Sequence, residues 1–434
     1  MTSKRKLITT FFLIIISCSK KIDPSIIATV GDSYITSKEY ISAYSDRLIK
    51  TQVKDSEFER KRLLNELIRN KLFAQGARMK NLSLDSSANS MVELSKDQAL
   101  RDALYEKIIG SKETLIKDST IREHFKWKFT EVRLKHLFHQ KKEVLDSLLF
   151  VIANEQNSFK NIAKFLFKND ILKDSGSDLG WVAYNTLDPN LEQVAFSIPL
   201  DTLVEPIRSS YGWHILIKTD ERKQMIISEQ NYQEGKQKLI RSISKKHAQI
   251  KANNYINDLM KKGIHINDSL VYKTLEQIGW IISKISDKDK INSKLVTGDQ
   301  IKDEVLDLKL NQDAILATFN DGDFNVGDLL SGLRESRPNI FLKDPIQSFY
   351  IALRDKILTS TAISEGLLDD NSVKWATQST EDNYLARSYL LFLKRDSNKK
   401  NFSTDELKEV SDELKKKVSI NIFPENLDKL FANP

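Results

Sequence analysis

The stretch Glu205-Pro206-Ile207-Arg208-Ser209-Ser210-Tyr211-Gly212-Trp213-His214-Ile215 decides how this chain is read. It closes a segment, Glu131 to Arg222, whose alternating and turn-bounded apolar runs predict an α/β module. The rest of the chain has a different texture. Only 14 glycines and 8 prolines in 434 residues argue against a protein built from many tight turns, so helix is expected to dominate around the module. A chain of this length holds roughly two to four domains at ~150 residues each. With 40% hydrophobic and 29% charged residues it is a globular protein, neither a disordered tail nor a polytopic membrane protein. The formal charge of +7, or +4 without Lys4, Arg5 and Lys6, is too small over this length to indicate a nucleic-acid partner.

Those three basic residues precede an apolar run, Leu7 to Ile16, followed by Ser17 and Cys18. The pattern predicts a signal peptide over 1–17. Ten residues at 1.5 Å each span about 15 Å, half a bilayer core, too short for a transmembrane helix. Ile15, Ile16, Ser17 and Cys18 resemble a bacterial lipobox, which implies that Cys18, the only cysteine, is lipid-modified and begins the mature chain. No disulfide within the chain is possible. A polar tether, 18–25, would lead to a globular part on the outer side of a membrane, away from cytosolic ATP.

Ile27 to Val30 and Tyr34 to Ile35, separated by Gly31-Asp32-Ser33, predict a hairpin. Thr36 and Glu39 have capping-box spacing ahead of a helix with Tyr40, Ile41, Tyr44 and Leu48 on its apolar face. Further helices are expected over about Glu57–Met79 and Ser87–Ile109. The pattern returns late in the chain: Ala28-Thr29-Val30 against Ala317-Thr318-Phe319, then Arg69, Lys71, Ala77 and Leu82 against Arg354, Lys356, Ala362 and Leu367. An internal repeat is therefore expected. The predicted organisation is an N-terminal helical module at 26–128, the α/β module at 129–224, a long helix and connection at 225–270, a linker at 271–314 and a C-terminal module at 315–434. Lys-rich runs such as Lys245-Lys246 and Lys415 to Lys417 read as solvated helix faces, with contact to anionic lipid as the sharper alternative.

The 131–222 segment resembles the parvulin-type peptidyl-prolyl isomerases. Val132 to Phe138 looks like the family's opening histidine-bearing strand, and Ser177-Asp178-Leu179-Gly180-Trp181 like its glycine-containing turn. From Phe196 to the Gly-aromatic-His-Ile ending at Ile215 the match runs without a gap. The resemblance implies a proline slot at Leu179, Leu187 and Leu191 backed by Phe196. It also implies a polar network of His136, Asp170 and His214 with Ser209 as hydroxyl partner. Leu187 and Leu191 stand where the family typically has Met and Phe, and the loop from Asp170 to Asp178 is one residue shorter than usual. Losing the aromatic wall weakens the grip on proline by about 0.5–1.5 kcal/mol. The two histidines serve either catalysis or the hydrogen bonding that holds the sheet, and Leu179 and Leu187 either the slot or the core. More weakly, Thr120 to Phe125 and the N-terminal elements resemble SurA-like and PrsA-like foldases, whose scaffolds hold unfolded chains without ATP.

Catalysing this reaction breaks no bond. Rotation about X-Pro meets a barrier of roughly 18–20 kcal/mol. A site lowers it with an apolar slot for the ring, a dry setting and hydrogen-bonding groups suited to the twisted amide. No cofactor is implied. His124, His139, His247 and His265 lack partners at ligand spacing, so no metal site is expected and they read as incidental. The fold class is thus α+β, mostly helical chaperone modules flanking one parvulin α/β domain with a small, mostly antiparallel sheet. The expected function is an extracytoplasmic, lipid-anchored foldase that holds proline-containing unfolded secreted or outer-membrane proteins and isomerises them. A chaperone that binds proline segments without turnover, and a structural lipoprotein of an assembly complex, are the alternatives.

Overall fold

A computed structural model of the chain describes residues 23–110, 116–139, 141–154, 158–166, 177–209, 212–223, 228–261, 263–290, 311–335, 338–397 and 401–432. The expected signal peptide, Cys18 and Asp170 lie outside the described residues. In chain order the strands are β1 (Ile26–Val30), β2 (Ser33–Thr36), β3 (Thr130–His139), β4 (Asp178–Ala183), β5 (Ile207–Arg208), β6 (Trp213–Lys223), β7 (His265–Ile266), β8 (Ile315–Phe319), β9 (Gly322–Asn325) and β10 (Ile420–Ile422). The helices are α1 (Ser37–Thr51), α2 (Glu57–Met79), α3 (Ser86–Ile109), α4 (Asp118–Trp127), α5 (Lys142–Asn154), α6 (Ser158–Leu166), α7 (Pro189–Ser197), α8 (Glu229–Met260), α9 (Asp268–Lys290), α10 (Val326–Glu335), α11 (Pro338–Lys343), α12 (Pro345–Ser364), α13 (Asn371–Asp396), α14 (Thr404–Lys415) and α15 (Pro424–Lys429). Among the described residues the fold is mostly helical with three small antiparallel sheets. No described helix is long and apolar enough to cross a membrane.

The chain divides into two compact units within α3: residues 1–100 with 366–434, and residues 101–365. In the first unit β1 is the central strand of the sheet β10-β1-β2, with Ile27, Ala28 and Val30 fully buried. Thr36 caps α1 by accepting the Glu39 N–H, and Ser56 caps α2 by accepting the Glu59 N–H. Helix α2 is buried on more than one face because α13 packs along it. Their approach is close enough that a Cβ on Gly76 would lie 2.7 Å from the Tyr389 ring, so only glycine fits there. Between the two helices Lys71, 1% exposed, pairs with Glu39 and with the fully buried Asp382, each at 3.1 Å. Arg78 reaches the other oxygen of Asp382 at 2.6 Å.

The internal repeat extends to individual residue pairs. In one hairpin Ile26 faces Thr36, Ala28 faces Ile35 and Val30 faces Ser33; in the other Ile315 faces Asn325, Ala317 faces Phe324 and Phe319 faces Gly322. Every residue pair is shifted by 289 positions, and the same irregularity follows the first pair in both. The ion pair between Lys71 and Glu39 recurs as Lys356 with Asp328 at 2.8 Å. Each hairpin has a third strand on the same side. The Phe423 N–H donates to Ile27 O at 2.8 Å, and the Asn267 N–H donates to Leu316 O at 2.9 Å.

These pairings redraw the expected boundaries. The 315–434 stretch is not one module: 315–365 belongs to the second unit, where β8 pairs with β7, while 366–434 completes the first through β10 and α13. The reason is that a two-stranded hairpin with one helical layer leaves an open edge and an uncovered helix, and each copy closes these with a different part of the chain. The 271–314 stretch is not wholly a linker either. Val271, Leu275, Ile278, Ile281 and Ile282 of α9 form the core beneath the second hairpin with Phe324, Phe341 and Phe349.

The sheet β4-β3-β6-β5 carries the α/β module. Its strands alternate, so β3 turns Val132, Leu134, His136 and Phe138 to one face and Leu137 to the other. On β6, His214 and Leu216 oppose Phe138 and His136 and share their face, whereas Ile215 joins Leu137. The Leu137 face is covered by Leu145 of α5 and by Phe159 and Ala163 of α6. The other is covered by α7, by Ile121, Phe125 and Trp127 of α4, and by Tyr232, Leu239 and Ile243 of α8. Residues 118–127, expected in the N-terminal module, thus pack into this domain, and so does the first half of the long helix.

Candidate functional site

The site begins with the register of β3 against β6. Because Phe138 faces His214 and His136 faces Leu216, the two imidazoles are diagonal neighbours on one face of the sheet. Their ring centroids lie 5.8 Å apart with planes inclined by 19°, and Phe138 lies 5.0 Å from the His214 ring. The turn before β6 delivers the third group. Gly212 adopts φ +146°, and a Cβ there would stand 2.7 Å from the Phe138 ring, so position 212 takes only glycine. The Ser209 N–H donates to Gly212 O at 2.8 Å, and Ser209 Oγ lies 2.8 Å from His214 Nε2 and 3.3 Å from Gly212 O.

Burial sets the charge of this cluster. His136 and His214 are each pushed down to about 4 by loss of hydration. For His214 repulsion from His136 adds to the effect, and Asp188 opposes it. Both rings are therefore uncharged at neutral pH. A hydroxyl that donates to Gly212 O accepts the Nε2–H of a neutral His214. Nδ1 is then an acceptor, buried without a hydrogen-bond partner among the described residues.

Of the residues expected in the apolar slot, Leu179 is the extra residue of a β-bulge: Asp178 and Gly180 pair with Lys135 and Leu134, and Leu179 between them has no opposite number. Leu187 lies partly buried in the turn between β4 and α7, and Leu191 is buried in the first turns of α7. This turn is joined to the polar cluster, since Asn190 Nδ2 donates to the carbonyl of Arg208, the neighbour of Ser209, at 3.1 Å. Phe196 stands 5.7 Å from Trp127 and 6.1 Å, edge to face, from Tyr184, inside the core.

Two features escaped the sequence reading. Asp188 caps α7 by accepting the Asn190 N–H at 3.0 Å and acts electrostatically on His214. The Asp188-Pro189 pair, an N-cap followed by proline at the first helical position, was its available signal. His124 is not incidental: buried 4.4 Å from Trp127, its Nδ1 meets the Tyr184 hydroxyl at 2.8 Å, and burial beside Lys246 holds it at about 4. No cluster of metal-ligating side chains occurs among the described residues.

Residues 135–220 match the family model described as Rotamase, the PPIC-type PPIASE domain. The foldase protein PrsA of Caldanaerobacter subterraneus subsp. tengcongensis is 23% identical over 239 residues, covering 46% of this chain and 76% of that protein. The chaperone SurA of Chromobacterium violaceum is 32% identical over 81 residues, 19% of each chain. A solved structure of PrsA from Bacillus anthracis, 15% identical with a TM-score of 0.24, aligns with 43% of this chain and 89% of its own. With two histidines on one face of a four-stranded antiparallel sheet and the family match covering most of that sheet, residues 135–220 are a parvulin-type peptidyl-prolyl cis-trans isomerase domain, carried by a chain similar to the foldase protein PrsA and, over 81 residues, to the chaperone SurA.

Proposed function

We propose that the chain is an extracytoplasmic foldase, lipid-anchored through Cys18, which holds unfolded proline-containing polypeptides and isomerises their X-Pro bonds at the site formed by His136, His214, Ser209, Leu179, Leu187 and Leu191. The observation that carries this reading is the pairing of an uncharged His-His-Ser cluster with a leucine-bearing turn tied to it through Asn190. Twisting the amide removes its resonance and localises the lone pair on nitrogen without making or breaking a bond. A neutral, buried site suits that change, because it imposes no charge on the ground state. The leucines hold the pyrrolidine ring while the flanking chain rotates. Asp170, outside the described residues, completes the polar network in this reading, and Phe196 supports the slot from the core.

His214→Ala removes the hydrogen bond to Ser209 and leaves the leucines in place. In a protease-coupled assay on a proline tetrapeptide, its kcat/KM is expected to fall tenfold or more, equivalent to about 1.4 kcal/mol of transition-state stabilisation. A melting scan run beside the assay separates this loss from unfolding. If the wild-type chain has no activity and Leu191→Phe, which restores an aromatic wall, creates none, the enzyme reading falls and client holding alone remains.

Anchoring has its own test. Cys18→Ser is expected to move the protein from the membrane pellet to the soluble fraction, with loss of an acyl mass from its N-terminus. Retention of the variant in the pellet, together with an unmodified wild type, would exclude the lipid anchor.

A further inference from the structure

Helix α8 lies outside the segment matched by the isomerase family, yet one of its side chains enters the wall of the candidate site. Lys246 Nζ forms an ion pair with Glu192 Oε1; the Lys246 side chain is partly buried at 15% exposure and that of Glu192 fully buried at 1%. The other oxygen of Glu192 accepts the backbone N–H of Asn185. Asn185 has φ +71°, the left-handed conformation that asparagine adopts more readily than other non-glycine residues in tight turns. Next to it Lys246 Nζ lies 3.6 Å above the ring of Tyr184, whose hydroxyl meets His124. The turn so held, Tyr184 to Asp188, presents Leu187 and ends at the cap of α7, which carries Leu191.

We propose that Lys246 is a positioning residue for the isomerase, which acts through Glu192 to hold the 184–188 turn and thereby the leucine side of the proline slot. The proposal rests on the reading of Leu187 and Leu191 as slot residues. Its physical basis is that Glu192 has left water almost completely, and a buried carboxylate without a cation relaxes toward solvent or takes up a proton. Movement toward solvent takes the acceptor away from Asn185, and protonation replaces a charged acceptor by a weaker neutral one. Lys246 therefore contributes the charge that keeps Glu192 inside the domain and the turn in its left-handed shape. The isomerase then requires α8, and the functional unit extends beyond residue 220.

The test uses the full chain and four readouts: kcat, KM for a proline tetrapeptide, melting temperature, and amide hydrogen exchange at Asn185. Lys246→Met is expected to raise KM about tenfold with a smaller change in kcat, and to speed exchange at Asn185. Lys246→Arg is expected to restore most of both. The deciding variant is the double substitution Glu192→Gln with Lys246→Met. A neutral amide needs no cation but still offers an oxygen to Asn185, so KM and exchange should return toward wild type. A Lys246→Met chain with unchanged KM and unchanged exchange at Asn185 overturns the proposal, and so does a double variant as impaired as the single one at equal melting temperature. If the wild-type chain lacks isomerase activity, the slot reading fails. Exchange at Asn185 in Lys246→Met still decides whether Lys246 holds the turn.

Discussion

Asp382→Ala lowers the unfolding free energy of the unit built from residues 23–100 and 366–432 by an expected 3–5 kcal/mol or so, the usual cost of removing one partner from a buried ionic cluster. Lys71 is 1% exposed and Asp382 fully buried, so the substitution leaves an ammonium group in the interior with Glu39 as its remaining carboxylate neighbour. Arg78 loses its 2.6 Å contact at the same time. The effect is large because Asp382 stands on α13 and Lys71 on α2, so the cluster joins segments more than 300 positions apart in the chain. Urea unfolding followed by circular dichroism should show an earlier first transition, and isomerase activity, located in the other unit, should not change. A midpoint shift worth less than about 1 kcal/mol would mean that the apolar contacts of α13 hold the unit without this cluster. Replacing Lys71 and Asp382 together by Met and Leu should cost less than Asp382→Ala, since no charge is then stranded.

Acid provides the second large effect. His124, His136 and His214 are held at about 4, against about 6.5 in an unfolded chain. In this case the folded state is the one that resists protonation. Above pH 6.5 all three are neutral in both states and their contribution is fully present. Between about 6.5 and 4 the unfolded chain takes up protons that the folded domain refuses, so stability falls as pH falls; below 4 no further loss arises from them. For one buried histidine the full span is worth up to about 3 kcal/mol. Melting temperatures of the isomerase domain should therefore decline from pH 6.5 to 4. The exposed Glu229, held at about 2 by Arg122, acts only at lower pH. His124→Gln keeps a polar group opposite the Tyr184 hydroxyl and does not titrate, so it should flatten part of that decline. A melting temperature that is level from pH 7 to 4 would show that these rings are not held neutral by the fold.

Much of the local structure was legible because its causes lie close together in the chain. The Glu57–Met79 helix follows from its apolar spacing and from Ser56 as its cap. The first hairpin follows from short β-branched runs around a tight turn and the second from its repetition of the first, while the histidine pair was implied by the resemblance to the parvulin family. Gly212 entered the sequence reading only within the family's closing stretch, and its φ of +146° against Phe138 became visible in the structure.

What was not legible depends on partners far away in the chain. Nothing local to 366–434 tells that its strand Ile420–Ile422 pairs with Ile26–Val30, since an edge strand of three residues carries almost no pattern of its own. Residues 271–314 read as a linker because no pattern stood out in that stretch, and only the second hairpin shows what the isoleucines of the 268–290 helix cover. Lys246 read as part of a solvated basic run, and His124 as incidental, for the same reason: a side chain's charge state and task depend on what surrounds it after folding. By itself the sequence determined the first helices, the long helix near 228–262 and the first hairpin with its repeat, because hydrophobic period and turn chemistry act over a few residues, and it carried the motifs through which the isomerase segment resembles its family. Tertiary structure alone decided which distant segment closes each hairpin, which carboxylates are buried beside Lys71 and Lys246, and which histidines are kept neutral, because burial and pairing are properties of neighbours that the chain brings together only when it folds.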